Sequence, residues 1–329
     1  MPPSCATTAG SGGRTLLARL HSLGDVVLTT GLVPILAGRG ETVEILTDPA
    51  YDPVFEGLPV ARVWHRDTIR SAGSFDSVVD LQANATSRRL LLGLGPRRRA
   101  SSRSLARRWI VLWGRRAPLP VVPHAVGRYA EAAGFGGAES ELRPRLAVTE
   151  ADRAEAARHA WAMETSARPC VGLAVGASRR MKRWPEAKFD LLERSLAEIG
   201  LGSLRFIEPR PGESDRRFPG PGPVRAGLRE LKALASRCKA LVTNDSGVMH
   251  LAVGLGVPVV AIFGSTVTNL GFGPLGERDV VVERDLACRP CAVHGARYCW
   301  QGHERCLREI EPRDVQAAVV RILGRSPLK

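Results

Sequence analysis

The sequence predicts an α/β protein made of two open parallel sheets facing each other. Three observations predict it. Short apolar runs alternate with amphipathic stretches along all 329 residues, the pattern of βαβ units rather than of hairpins. A series of strand, glycine turn and helix begins near residue 14 and restarts near residue 168. The length corresponds to about two domains at roughly 150 residues each. The two halves are not a sequence repeat.

Arg14–Leu20 reads as a buried first strand, followed by the turn His21-Ser22-Leu23-Gly24-Asp25. Val26–Ala37 reads as a helix in which Pro34 is awkward, because proline has no N–H to give. Thr42–Thr47 and Val78–Leu81 are further strands, and Ala125–Ala133 a helix. Glu150–Met163, rich in Ala, Glu and Arg, is a strong helix. The second series runs through strand Pro169–Val175, helix Pro185–Ile199, strand Leu204–Ile207 and a Pro- and Gly-rich loop, Pro209–Pro223. Helix Leu228–Arg237, strand Ala240–Thr243, helix Gly247–Leu255, strand Val257–Phe263 and helix Val315–Leu323 complete it. The expected domains are 14–160 and 161–329, after a flexible leader over 1–13. Ligands of such sheets bind beyond the carboxyl ends of the strands, so the residues of interest follow strands.

Hydrophobic residues make up 44% and charged residues 24%, which excludes wholesale disorder. There is no run of 18 apolar residues to span a membrane. MPPSCATTAGSGG has neither a basic start nor an apolar stretch, so a secretory signal is not expected. Seven cysteines, odd and sparse, argue against a secreted disulfide scaffold and fit a reducing cytoplasm. The 47 basic residues, 42 of them Arg, outnumber 33 acidic ones and give a net charge of +14. Eleven arginines and no acid lie between Leu81 and Ala130, among them Arg97, Arg98, Arg99, Arg107 and Arg108. Interleaved Trp109, Ile110, Val111, Leu112 and Trp113 make this stretch amphipathic. It suits an anionic partner such as a phosphorylated glycolipid, a membrane surface or nucleic acid, or else it is a solvated basic loop.

Four clusters carry candidate chemistry. Asp25 follows the first strand at a helix start, either as an N-cap or as a general base at the mouth of a cleft. Gly176-Ala177-Ser178 followed by Lys182-Arg183-Trp184-Pro185 suits a phosphate group, or is a basic loop. Thr243-Asn244-Asp245-Ser246-Gly247-Val248-Met249-His250 ends one strand and opens a helix whose free N–H groups suit a diphosphate, with Asp245 or Ser246 capping and His250 one turn in. Phe263-Gly264-Ser265-Thr266 offers hydroxyls after the next strand. Cys288, Cys291, Cys299 and Cys306, spaced by two, seven and six residues, form a fair metal-site pattern for structural zinc or iron, with His294 and His303 able to substitute as ligands; buried thiols or a redox pair are the alternatives. Gly271-Phe272-Gly273-Pro274-Leu275-Gly276 matches GxGxxG but contains proline and opens no helix, so it is not a dinucleotide fingerprint.

LHSLGDVVLTTGLVPIL, VVDLQANATSRRL, GASRRMKRWPEAKF, TNDSGVMHLAVGLGVPVVAIFGST, CRPC and CLREIEPRDV together resemble glycosyltransferase family 9, the lipopolysaccharide core heptosyltransferases. The late cysteines resemble the heptosyltransferase II type more than the first. The resemblance implies a GT-B fold, with two Rossmann-like domains and the active site between them, the first binding acceptor and the second nucleotide sugar. It implies inverting transfer of heptose from ADP-heptose to an anionic inner-core glycolipid at the inner face of the inner membrane, with no nucleic-acid partner and no catalytic metal. The family's base falls on Asp25 and its donor contacts on Lys182, Asp245, Ser246, Gly247 and His250, joined by Gly176, Ser178, Ser265 and Thr266. Acceptor contacts fall on Ser22, Gly24, Asp80 and Gln82, with Arg97, Arg98 and Arg99 beside them. Some relatives hold iron through late cysteines. Ser265 stands where many relatives carry proline, and the ribose contact falls on Glu208 or Glu213. Another nucleotide sugar or acceptor, a nucleotide-dependent oxidoreductase and a non-catalytic polyanion-binding protein are the alternatives.

Overall fold

The computed structural model describes residues 12–100, 104–113, 122–135, 141–157, 169–207 and 224–324. Two wholly parallel sheets carry the chain. The first has the order β3-β2-β1-β4-β5, with β1 Arg14–Ala18, β2 Thr42–Leu46, β3 Arg62–Trp64, β4 Ser77–Asp80 and β5 Arg97–Arg99. The second has the order β11-β10-β9-β6-β7-β8, with β6 Cys170–Ala174, β7 Gly202–Ile207, β8 Val224–Arg225, β9 Ala240–Asn244, β10 Val259–Phe263 and β11 Val280–Glu283. The central strands β9 and β10 are buried along their whole length, as strands covered by helices on both faces must be. The chain is therefore two Rossmann-like α/β lobes, as expected. The expected leader lies almost wholly outside the described residues, and so do the 160/161 boundary, the end of the Glu150–Met163 helix, Glu208, Glu213 and the Pro209–Pro223 loop.

Two elements differ from expectation for physical reasons. Val26–Ala37 is not one helix. It divides into Leu23–Thr29 and Val33–Gly38, with Pro34 in the first turn of the second, where its missing N–H costs nothing. Arg97–Arg99 is not loop but strand, paired with β4 in the register Val78–Arg97 to Asp80–Arg99. It is the sheet edge, and its charged side chains protect that edge from further pairing.

The lobes meet at two helix starts. Helix Leu23–Thr29 follows β1, and helix Gly247–Gly254 follows β9. The latter is apolar but for His250, with Val248 to Val253 buried, as befits a helix packed among its neighbours. A Cβ on Gly247 would lie 2.8 Å from Leu23 Cβ and 3.0 Å from the Gly24 nitrogen, and one on Gly24 would lie 2.9 Å from His250 Cδ2. Both glycines are therefore required by the close approach of the lobes. Beside this contact Lys232 is fully buried, paired with Asp152 at 2.8 Å and donating to the Pro53 carbonyl at 2.5 Å. Arg229 of the same helix pairs with Glu56. Gly247→Ala is expected to lower stability by about 1–3 kcal/mol through overpacking. Gly38→Ala, whose Cβ would meet nothing within 4 Å, should be neutral or stabilising by up to about 1 kcal/mol. Denaturant unfolding of the two variants compares them directly.

Candidate active site

A cavity of about 560 Å³ lies where the lobes face each other. The first lobe contributes His21, Ser22, Leu23, Gly24, Asp25 and Leu28; the second contributes Ser178, Arg179, Lys182, Asp245, Ser246, Gly247, His250, Thr266, Phe272 and His294. Asp25 does not cap its helix. It sits in the first turn, where a negative charge is favoured by the helix dipole. Its Oδ2 accepts from Ser22 Oγ at 2.8 Å and pairs with Arg19 at 2.5 Å, while its Oδ1 accepts from the Tyr129 hydroxyl at 2.9 Å. Burial opposes the charged form, but the Arg19 guanidinium, the Ser22 and Tyr129 hydrogen bonds and His250 together outweigh it and hold the carboxyl below its usual range.

The facing wall is built by strand ends. Asn244 at the end of β9 accepts from the Trp184 amide at 2.9 Å and donates to the Val175 and Gly176 carbonyls, tying the loop after β6 to β9. That tie presents Lys182 to the cavity, where its Nζ lies 2.8 Å from Asp245 Oδ2. Thr266 Oγ1 donates to the same oxygen at 2.6 Å. Ser246 occupies the N-cap position of helix Gly247–Gly254 without a side-chain cap bond. His250 is buried, its Nδ1 has no hydrogen-bond partner, and burial, with His124 nearby, pushes it down to about 4. It is a neutral imidazole at neutral pH.

Of the residues singled out in sequence, Ser22, Gly24, Asp25, Ser178, Lys182, Asp245, Ser246, Gly247, His250 and Thr266 line this one cavity. The others stand elsewhere. Gly176 borders a separate cavity beyond the Lys182 loop. Ser265 is fully buried and accepts from the Ala296 amide at 3.3 Å. Asp80 is fully buried, accepting from the Ala83 amide and Ser87 Oγ at 2.7 and 3.0 Å. Gln82 sits behind the wall, accepting from the Leu20 amide and meeting His21 Nε2 at 3.2 Å. Arg97, Arg98 and Arg99 reach the carbonyls of Arg88, Ala133 and Ala83. Arg107, grouped in sequence with the basic surface, is instead buried. It donates to the Leu270 carbonyl at 3.0 Å and lies 4.2 Å over the Phe272 ring, strapping the first lobe to a loop of the second. Sequence reasoning missed Arg19, Tyr129 and Phe272, named His21 only as a turn residue and His294 only as an alternative metal ligand; Tyr129, Phe272 and His294 gain their places from contacts distant in sequence, whereas Arg19 lies six residues from Asp25.

The late cysteines share one neighbourhood with His303, whose ring nitrogens lie 3.9 Å from Cys288 Sγ and 4.0 Å from Cys299 Sγ. Among the described residues, however, no three His, Cys, Asp or Glu side chains are arranged to hold a metal ion. Cys291 turns its thiol to the Cys288 carbonyl, His303 bonds Gln301 and the Arg305 amide, and burial pushes the Cys306 thiol up to about 11. Among the described residues, these side chains do not converge on one centre for the expected structural metal. The CRPC segment has another use: buried Arg289 donates to the Gly264 and Thr266 carbonyls at 2.5 and 2.6 Å and pairs with Glu283, fixing the loop that carries Thr266.

Comparisons with known proteins agree with this architecture. A lipooligosaccharide heptosyltransferase 2 of Campylobacter jejuni is 35% identical over 91 residues, 28% of each chain, so the matched stretch spans about a quarter of that relative. A lipopolysaccharide heptosyltransferase 1 of Pseudomonas aeruginosa is 27% identical over 91% of both chains. The structure of E. coli ADP-heptose lipopolysaccharide heptosyltransferase II superposes with a TM-score of 0.67 at 20% identity, covering 94% of this chain and 98% of that one; it establishes a shared GT-B fold. The family model glycosyltransferase family 9 (heptosyltransferase) matches residues 64–215 and 224–300. The chain belongs to glycosyltransferase family 9.

Proposed function

We propose that this protein is a heptosyltransferase of lipopolysaccharide core synthesis, moving heptose from ADP-heptose to an inner-core acceptor with inversion. One observation carries the proposal: a carboxylate of one lobe and an ammonium with a helix N-terminus of the other line the same cavity. The named functions of the relatives support the sugar and the acceptor. In this scheme Asp25 takes the acceptor hydroxyl's proton as that oxygen attacks the anomeric carbon. The diphosphate leaves on the opposite side, its growing charge met by Lys182, by the free N–H groups at the start of helix Gly247–Gly254 and by the Thr266 hydroxyl. Asp245 keeps the ammonium at the cavity wall before donor arrives. Positive charge for the leaving group comes from the protein in this scheme, which gives a metal-independent reaction.

The acceptor is a membrane glycolipid in this proposal, and one surface fits it. Helix Ser104–Trp113 leaves Trp109 57% and Leu112 72% exposed, and Arg108 shares their face. Arginine beside exposed tryptophan and leucine suits the interface of an anionic bilayer. Contact there would be peripheral, on the cytoplasmic side; among the described residues no helix is long and apolar enough to cross a membrane.

Asp25→Asn is expected to reduce kcat by about 10²-fold or more while calorimetry still shows ADP-heptose binding; near-normal turnover would remove Asp25 from the role of base. A hydrogen bond to a charged group contributes about 1.5–3 kcal/mol, so Lys182→Met should lower kcat/KM for ADP-heptose about ten-fold or more, measured by ADP release. Replacing Trp109 and Leu112 together with Ser should weaken sedimentation with vesicles containing anionic phospholipid and leave donor affinity unchanged; equal sedimentation would exclude this helix as the contact.

A further inference from the structure

The donors around Asp25 are not distributed evenly. A carboxylate offers about two lone-pair sites on each oxygen. Oδ2 uses both, on Arg19 at 2.5 Å and Ser22 at 2.8 Å. Oδ1 uses one, on the Tyr129 hydroxyl at 2.9 Å. Arg19 is itself fixed: its Nε donates to the His21 carbonyl at 3.0 Å and its Nη1 to the Leu81 carbonyl at 2.8 Å. The guanidinium is thus held by backbone at the ends of β1 and β4, independently of the carboxylate it faces. Tyr129 comes from the helix Ala125–Ala132 on another side, 104 residues away in sequence.

We propose that Arg19 is a positioning residue for Asp25: together with Ser22 it saturates Oδ2 and so assigns to Oδ1 the role of receiving the acceptor's proton. This rests on Asp25 being the base. The acceptor O–H bond breaks and its proton passes to the free lone pair of Oδ1. The acceptor oxygen bonds to the anomeric carbon. The bond from that carbon to the diphosphate oxygen breaks, and its electron pair leaves with the nucleoside diphosphate. Tyr129 lies on the same oxygen and keeps the carboxylate from rotating.

The charged and titratable groups that face Asp25 are Arg19 from the end of β1, Tyr129 from helix Ala125–Ala132, His250 from helix Gly247–Gly254, Arg107 from helix Ser104–Trp113, and His294. Arg19 is the cation in direct contact. A base is lost as pH falls through its pKa, so a pKa held below its ordinary value of 3.8 places the acid limb of activity low. Taking away a cation within about 4–6 Å raises a carboxyl pKa by one unit or more, so removing Arg19 moves that limb to higher pH.

The test is the pH profile of kcat/KM for truncated lipopolysaccharide, with saturating ADP-heptose, for the wild type, Arg19→Gln, Arg19→Lys, Tyr129→Phe and Asp25→Asn. The expected result is an acid limb about one unit or more higher in Arg19→Gln, most of it recovered in Arg19→Lys, and a smaller upward shift in Tyr129→Phe, with KM for ADP-heptose changed less than two-fold. An unmoved limb in Arg19→Gln, beside an inactive Asp25→Asn, overturns the role of Arg19 and leaves the base assignment standing. An active Asp25→Asn overturns the base assignment itself. Should Arg19→Gln fail to fold by thermal melting, Arg19→Lys and Tyr129→Phe decide: limbs identical to wild type in both overturn the inference.

Discussion

The close approach of two helix starts governs the rest of the molecule. Helix Leu23–Thr29 places Asp25, and helix Gly247–Gly254 places the amides beside Asp245 and Lys182. Gly24 and Gly247 have no room for a methyl group between these helices, and that contact brings groups more than 150 residues apart in sequence into one cavity. Interiors are packed as densely as crystals, so a displacement at this contact is passed on to the distance between carboxylate and ammonium.

Two further devices hold the lobes in register. On one side, buried Lys232 satisfies Asp152 and a carbonyl of the first lobe. Removing one partner of such a pair would strand a charge away from water, which is why it constrains position more than it adds net stability. On another side, Arg107 and Ile110 of helix Ser104–Trp113 reach the loop around Leu270 and Phe272, with Ile110, Val122, Val267 and Leu270 forming a small apolar cluster. That helix therefore has two faces of different use, one clamped to the second lobe and one open to its surroundings.

Much of the fold was legible in the sequence because its signals are local. Buried parallel strands read as continuous apolar runs, and nearly every long one was placed within a residue or two. The strands that were missed, β3, β5, β8 and β11, have two to four residues each, too few to show a period. β5 was hidden further by its composition, since three consecutive arginines look like loop unless the neighbouring strand is known. The cysteine pattern shows a related limit: spacing along the chain does not say whether thiols point toward one centre, and Cys306 is turned into the apolar core.

The site divides in the same way. Turn residues after strands, glycine beside aspartate and the start of a helix all follow from neighbours in the chain, so Asp25, Lys182 and the Asp245-Ser246-Gly247 turn could be read directly. That Tyr129 also reaches Asp25, that Arg107 is buried, and which glycine separates two helices depend on segments from about 100 to more than 200 residues apart. Linear pattern determined the elements and the chemistry at their ends; only folding decided the partners, because long-range packing leaves no periodic trace in the residues it joins.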